Sequence, residues 1–262
     1  MKRFATSAVL LLVMVVGISQ PLNLSKLSLN TIVIDPGHGG KDPGCLSHDH
    51  SSYEKDLCLK IALKVGKDLK DSLPNVRIIY TRKTDVFVPL WQRAAIANTN
   101  NADLFISVHC NAHTDQKFKG IETYVMGLKM NAGNLAVTKR ENGTIRMETD
   151  YKENTEYAGF DPDSEEGHII MSLYQNAYRN QSLQLASTVQ EKVNKKNQQK
   201  SLGVKEAGFL VLWKTAMPSI LVESGFMTNP EEFDFLKTNA GQTAVSNTIV
   251  ESVLDYKRKL GQ

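Results

Sequence analysis

Strands alternating with helices from residue 31 onward predict an α/β fold. The expectation is a single domain with a mostly parallel central sheet flanked by helices, and a long insertion after the fourth strand. Two further observations support it. Apolar, β-branched runs such as Thr31–Ile34 and Leu104–Val108 stop abruptly in polar residues, as buried parallel strands do. Internal repeats and low-complexity tracts are absent; the length of 262 residues allows one large core or two small ones and does not itself choose.

Residues 1–19 read as a secretory signal peptide. Lys2 and Arg3 precede an uncharged, mostly apolar run from Phe4 to Ile18, and Gly17 and Ser19 are small residues suited to a cleavage site. The run is short for a membrane span, and no cysteine follows closely enough to carry a lipid. The mature chain is expected to start near Gln20, with a polar linker over 20–30 and the catalytic domain over 31–262. This places the protein outside the cytoplasm, periplasmic or extracellular. A net charge of +3 is too small to argue for nucleic acid.

The first strand is Thr31 to Ile34. A loop rich in Gly, Ser, Asp and His runs to Ser52. A helix follows from about Tyr53 to Ser72, with Leu57, Ile61, Val65 and Leu69 on one face, Ser51 or Ser52 as its cap and Pro74-Asn75 as its stop. Val76–Tyr80 reads as a strand and Pro89–Asn100 as a short helix opening on proline. Leu104–Asn111 and Gly120–Val125 are the third and fourth strands. Residues 126–180 are polar and broken by Asp161-Pro162 and several glycines, a length of irregular chain that more often serves function than connection. Alternation then resumes: a helix over Ser182–Val193, strands over Gly208–Trp213 and Ser219–Val222, and helices over Pro230–Leu236 and Ala244–Leu260.

The polar residues at the strand ends carry the chemistry. Ile32-Val33-Ile34 runs into Asp35-Pro36-Gly37-His38-Gly39-Gly40, which delivers His38 at a strand's carboxyl end between glycines that admit a close ligand. Taken alone, His38 could equally serve a local turn. The third strand, however, also ends in a histidine, His109, and two such strands in one sheet bring two imidazoles together. A zinc hydrolase needs about three N/O ligands and an open position for water. Glu54, in the first turn of the helix after His38, suits the third place, although a lone glutamate there could simply complement the helix dipole. The strand Ser219–Val222 runs directly into Glu223. Burying that carboxylate unpaired is expensive, and at a metal's edge it can move a proton between water and a leaving nitrogen. The competing reading is a structural ion pair.

Three cysteines, Cys45, Cys58 and Cys110, leave an odd thiol in an exported chain, with no Cys-x-x-Cys pair to hold zinc. Cys110 beside His109 faces the other side of its strand and reads as a packed small residue rather than a nucleophile. His48-Asp49-His50 lies in a loop, and His113 follows His109 at a helical spacing on a strand, where the two do not converge; both are set aside. His168 is expected to be solvated. Trp91 and Trp213 are expected in the core rather than stacked on sugars.

These residues resemble the zinc-dependent N-acetylmuramoyl-L-alanine amidases of bacterial cell walls. The resemblance is carried by Ile34 through Gly44, Glu54-Lys55-Asp56-Leu57, Thr81-Arg82, Gln92-Arg93, Ser107 through Ala112 and Val222 through Asn229, in the family's order across essentially the whole mature chain. It implies Zn2+ held by His38, Glu54 and His109, with Glu223 as catalytic carboxylate. The implied reaction is hydrolysis of the amide joining N-acetylmuramic acid to the stem peptide's L-alanine. Cys110 stands where relatives commonly carry alanine, and no wall-binding module is expected after the last helix. In the family's cell-division members the segment matching 126–180 covers the metal until a partner withdraws it. That comparison implies an activator protein and a blocking glutamate here, with Glu141 preferred over Glu148, Glu153, Glu156, Glu165 and Glu166. A substrate-recognition loop is the competing reading of the segment. The competing readings of the whole chain are a zinc peptidase cutting within the stem peptide and an inactive wall-binding protein.

Overall fold

The computed structural model describes residues 29–127, 131–173, 177–196 and 199–261. The expected signal peptide and most of the expected linker lie outside them. A six-stranded sheet forms the middle layer, in the order β2-β1-β3-β6-β4-β5. Its strands are β1 (Thr31–Pro36), β2 (Arg77–Tyr80), β3 (Leu104–Asn111), β4 (Ile121–Met126), β5 (Ser201–Ala207) and β6 (Ser219–Phe226). β2, β1, β3 and β6 run parallel, whereas β4 lies antiparallel to β6 and β5 parallel to β4. The sheet is thus mostly parallel, as expected.

Helices α1 (Glu54–Ser72), α5 (Arg179–Lys196) and α8 (Asn239–Lys259) cover one face. Their apolar sides, including Ile61, Val65, Val189, Ile249 and Val253, pack on Ile32, Ile34, Ile106, Val108 and Val222. The opposite face buries Val33, Phe105, Tyr124 and Leu221 against Ala97 of α2 (Leu90–Thr99) and against Phe209 and Leu212. α7 (Pro230–Leu236) is capped by Asn229, whose side chain accepts from Glu232 N. None of the described helices is long and apolar enough to cross a membrane.

Three expectations need correction. Gly208–Trp213 is not a strand: Leu210–Trp213 forms a single helical turn, α6. A short, wholly apolar run has no periodicity to separate helix from strand, and here Asn142 decides it. Its side chain donates to Gly208 O (2.7 Å) and accepts from Leu210 N (2.9 Å), holding the turn. The fifth strand lies just before, at Ser201–Ala207. Its polar residues suit a half-buried edge, where apolar alternation is weak, and its register with β4 shifts near Gly203. Third, neither Ser51 nor Ser52 caps α1; Tyr53 stands at the N-cap with no side-chain cap.

The stretch expected to be irregular also holds regular structure. α3 (Ala132–Asn142) is capped by Asn131, two short 3-10 turns follow (Gly143–Met147 and Thr155–Tyr157), and α4 is Glu165–Leu173. Met126, Ile145, Tyr157, Met171 and Leu210 form a small apolar cluster joining this segment to the domain, with Trp91 and Trp213 partly buried beside it.

One buried polar network sets the end of β1. Asp35 accepts from Thr81 Oγ1 (2.5 Å), Ser107 Oγ (2.7 Å) and Arg93 Nη1 (2.9 Å). Burial opposes the charge on Asp35, yet Arg93 and the two hydroxyls hold its carboxyl below the usual carboxylate range. Removing one member of such a pair leaves the other buried and uncompensated. Arg93→Met is therefore expected to lower unfolding free energy at pH 7 by about 3–5 kcal/mol, read by urea unfolding of the metal-free chain. A loss under about 1 kcal/mol, the scale of an exposed pair, would contradict this account.

Candidate metal centre

The site is built at the carboxyl ends of β1, β3 and β6. After Pro36 the chain turns sharply, and His38 takes a left-handed backbone conformation (φ 60°) that non-glycine residues rarely adopt. Two arginines hold it there. Arg93 donates to Pro36 O and His38 O (both 2.8 Å), and Arg82 to Pro36 O (3.1 Å) and Gly37 O (2.7 Å). Gly37 leaves room for the imidazole of His109, whose ring atoms would lie 2.5 Å from any Cβ at that position. At Gly44 (φ +68°) an added Cβ would likewise lie 2.7 Å from atoms of both Glu54 and His38.

Four donors converge. Glu54 Oε1 lies 3.1 Å from His38 Nε2 and 3.2 Å from His109 Nδ1, while Glu141 Oε2 lies 3.3 Å from each of the same nitrogens. All four side chains are buried, and their ligand atoms lie within 4.8 Å of one another. Metal–ligand bonds of about 2.0–2.1 Å in a tetrahedron put neighbouring donors roughly 3.3 Å apart, the spacing of the four histidine–glutamate pairs. His38 Nε2 is buried without a hydrogen-bond partner although a carboxylate oxygen stands 3.1 Å away. A ring nitrogen so close to an acceptor yet misaligned with it points at a common centre instead. The residues therefore fit a metal ion.

The surrounding groups fix the donors. His38 Nδ1 pairs with Asp42 Oδ2 at 2.9 Å, which aims Nε2 inward. Glu54 accepts the backbone N–H of Cys110 on Oε1 (3.0 Å) and that of Cys45 on Oε2 (2.9 Å). Glu141 comes from the last turn of α3. Its neighbour Arg140 donates through Nε to Glu141 Oε1 (2.8 Å), through Nη1 to Ala112 O (3.2 Å) and through Nη2 to Asn111 Oδ1 (3.1 Å).

Glu223 stands in register beside His109 on the adjacent strand, fully buried. Neither carboxylate oxygen has a hydrogen-bond partner, and Arg140 Nη2 lies 3.6 Å from Oε1. Burial, then the nearby Glu141 charge, pushes its carboxyl up to about 8 against the pull of Arg140.

The histidines set aside on sequence lie elsewhere. His48 packs on Phe233 and His113 stacks on Phe118. His168 is not solvated, as sequence suggested, but wholly buried, with Nε2 facing Pro162 O (3.0 Å) and Nδ1 facing Asn142 (3.4 Å). Two residues at the site were missed in the sequence reading. Asp42 lay inside the motif but four residues from its histidine, and Arg140 gives no signal apart from its place next to Glu141.

Comparison with known proteins identifies the family and the fold. The sequence family described as N-acetylmuramoyl-L-alanine amidase matches residues 32–255. The N-acetylmuramoyl-L-alanine amidase AmiA of Escherichia coli is 32% identical over 240 residues, covering 92% of this chain and 80% of its own length. The amidase of Clostridium difficile 630 superposes with a TM-score of 0.64 at 29% identity, over 87% of this chain and 96% of that one. CwlD of Clostridioides difficile, solved in complex with the lipoprotein GerS, shares the fold (TM-score 0.63, 23% identity, 87% of this chain and 98% of that one).

Asp42→Asn weakens the hold on His38 without removing a donor. It is expected to lower zinc affinity about 10–100-fold in competition with a chromogenic chelator. Affinity equal to the parent's would show that Asp42 does not orient the ring.

Proposed function

The chain belongs to the N-acetylmuramoyl-L-alanine amidase family, and from that premise we propose how its residues carry out the reaction. The reaction is hydrolysis of the amide between N-acetylmuramic acid and L-alanine in peptidoglycan. His38, Glu54 and His109 would hold a zinc ion, whose chemistry when bound would be to polarise the scissile carbonyl and activate water. The observation that carries this reading is the meeting of buried nitrogen and carboxylate donors at spacings of 3.1–3.3 Å, with an unpartnered carboxylate alongside. Asp42 keeps the His38 ring oriented. The amides of Cys45 and Cys110 keep Glu54 in place and share its charge.

Glu223 is the proton carrier. Its oxygens make no hydrogen bond that would have to break first. Set beside His109, its ionised form takes a proton from the attacking water and returns it to the departing L-alanine nitrogen. Both transfers occur in a pocket where burial strengthens each charge interaction.

Glu141 blocks this site at rest. With Glu141 present the cluster offers four protein donors, the closed set of a structural metal site, whereas catalysis needs one position free. Arg140 reinforces the block by standing between Glu141 and Glu223. Activation therefore withdraws the end of α3, and an activator protein that binds the segment 126–180 would favour the open form. CwlD in complex with GerS supports the idea that an amidase of this fold takes a protein partner. Action on peptidoglycan supports export to the cell wall, and the apolar run of residues 4–18 supports a signal peptide as the route.

Release of dye-labelled peptidoglycan tests both roles. Added to Glu141→Ala, Glu223→Gln should lose about 10²–10⁴-fold in rate while the chain still binds one zinc. Glu141→Ala should release dye faster than the intact parent. Mass spectrometry of the products should show stem peptides with a free L-alanine amino terminus; cuts within the peptide would instead favour the peptidase reading. A Glu141→Ala, Glu223→Gln chain as fast as Glu141→Ala alone overturns the proton carrier, and a Glu141→Ala chain no faster than the parent overturns the block.

A further inference from the structure

Glu223 has a buried acidic neighbour, Glu122, which stands in register with it on β4. Glu122 accepts from Tyr124 Oη (2.7 Å), from Lys205 Nζ on β5 (2.5 Å) and from Asn111 Nδ2 at the end of β3 (2.9 Å). A carboxylate paired with a lysine offers acceptors only, so it decides which way the Asn111 amide faces. The NH2 turns to Glu122, and Oδ1 turns the other way. There Oδ1 accepts from Arg140 Nη2 (3.1 Å) and from the backbone N–H of Ala112 (2.8 Å). The same Nη2 lies 3.6 Å from Glu223 Oε1. At rest, therefore, a nitrogen bearing N–H already sits between the proton carrier and an acceptor whose direction is fixed from behind.

We propose that Arg140 Nη2 occupies the place of the scissile amide nitrogen, and that Asn111 Oδ1 receives that nitrogen's N–H once the α3 turn withdraws, with Glu122 as the residue that positions Asn111. The inference rests on the amidase reading and on Glu223 as proton carrier. The oxygen of water adds to the amide carbon, and one of its protons passes to Glu223. The nitrogen then carries a lone pair. With its N–H held by Asn111, it turns that lone pair toward Glu223. The C–N bond breaks, its electron pair stays on nitrogen, and Glu223 returns the proton there, which leaves a carboxylic acid and a free amine. The original N–H stays on nitrogen throughout, so Asn111 neither gains nor loses a proton. Its contribution is orientation of the leaving group. A substrate without N–H at the scissile bond gains nothing from Asn111, so the residue selects amides over esters.

The test gives the full zinc-loaded chain two substrates, a muramoyl-L-alanine peptide and its ester analogue with L-lactate in place of L-alanine. The reference chain carries Arg140→Ala and Glu141→Ala, which clears both resting contacts. Adding Asn111→Leu should lower kcat on the amide about 10-fold, the scale of one well-placed hydrogen bond, and leave the ester rate within about twofold. Glu122→Gln, which lets the Asn111 amide turn over, should show the same selective loss with zinc content and Tm close to the reference. If Asn111→Leu does not fold, Glu122→Gln decides alone. In a folded variant, an equal loss on both substrates, or no loss on the amide, overturns the proposal and leaves the amidase reading standing. A reference chain that cleaves neither substrate overturns both.

Discussion

Two carboxylates and two imidazoles buried within about one bond-length's reach of a shared centre are the constraint on which the rest of this molecule depends. Glu54 and Glu141 repel each other across the His38 and His109 rings, and burial magnifies that repulsion. A divalent cation relieves it directly. The chain supplies what the cation does not: two backbone amides on Glu54, Asp42 behind His38 and Arg140 on Glu141. Even the glycines follow from this need, because Gly37 and Gly44 pass where a side chain would displace a donor.

Holding His38 in place costs a left-handed backbone at a non-glycine residue. The Asp35–Arg93 network and Arg82 over-determine that turn, so the strain is held by a rigid frame rather than relieved by movement. His109 and Glu223 need no such frame, since strand register alone sets them side by side. The segment after β4 is held differently. Its hold on the site runs through one turn of α3: Glu141 toward the donors, Arg140 toward Asn111, Ala112 and Glu223, and Asn142 toward the α6 turn. Because three consecutive residues make all of these contacts, displacing that turn would release them together.

How much of this could be read from sequence depended on whether a residue's surroundings are local. Strands β1, β3 and β6 announce themselves as apolar runs ending in chemistry, and α1 by its stripe of Leu57, Ile61, Val65 and Leu69. The resemblance to cell-wall amidases was carried by those same stretches together with Thr81-Arg82 and Gln92-Arg93. Strand β5 was missed because an edge strand with Lys205 and Glu206 shows little apolar alternation. The α6 turn was misread because Phe209 through Leu212 are apolar in any conformation, and only Asn142, far away in sequence, selects the helical turn. His168 was expected in water because its neighbours in sequence are polar, whereas its neighbours in space include Phe160 and Asn142. Glu141 was singled out among several acidic residues, but nothing in the sequence indicated that Arg140 would bridge it to Glu223.

The most direct measurement is anomalous diffraction at the zinc edge from crystals of the full chain grown with one equivalent of zinc. The account predicts a single strong peak within coordination distance of His38 Nε2, His109 Nδ1, Glu54 Oε1 and Glu141 Oε2. A peak bound elsewhere, or one from which any of His38, Glu54 or His109 has turned away, would contradict it.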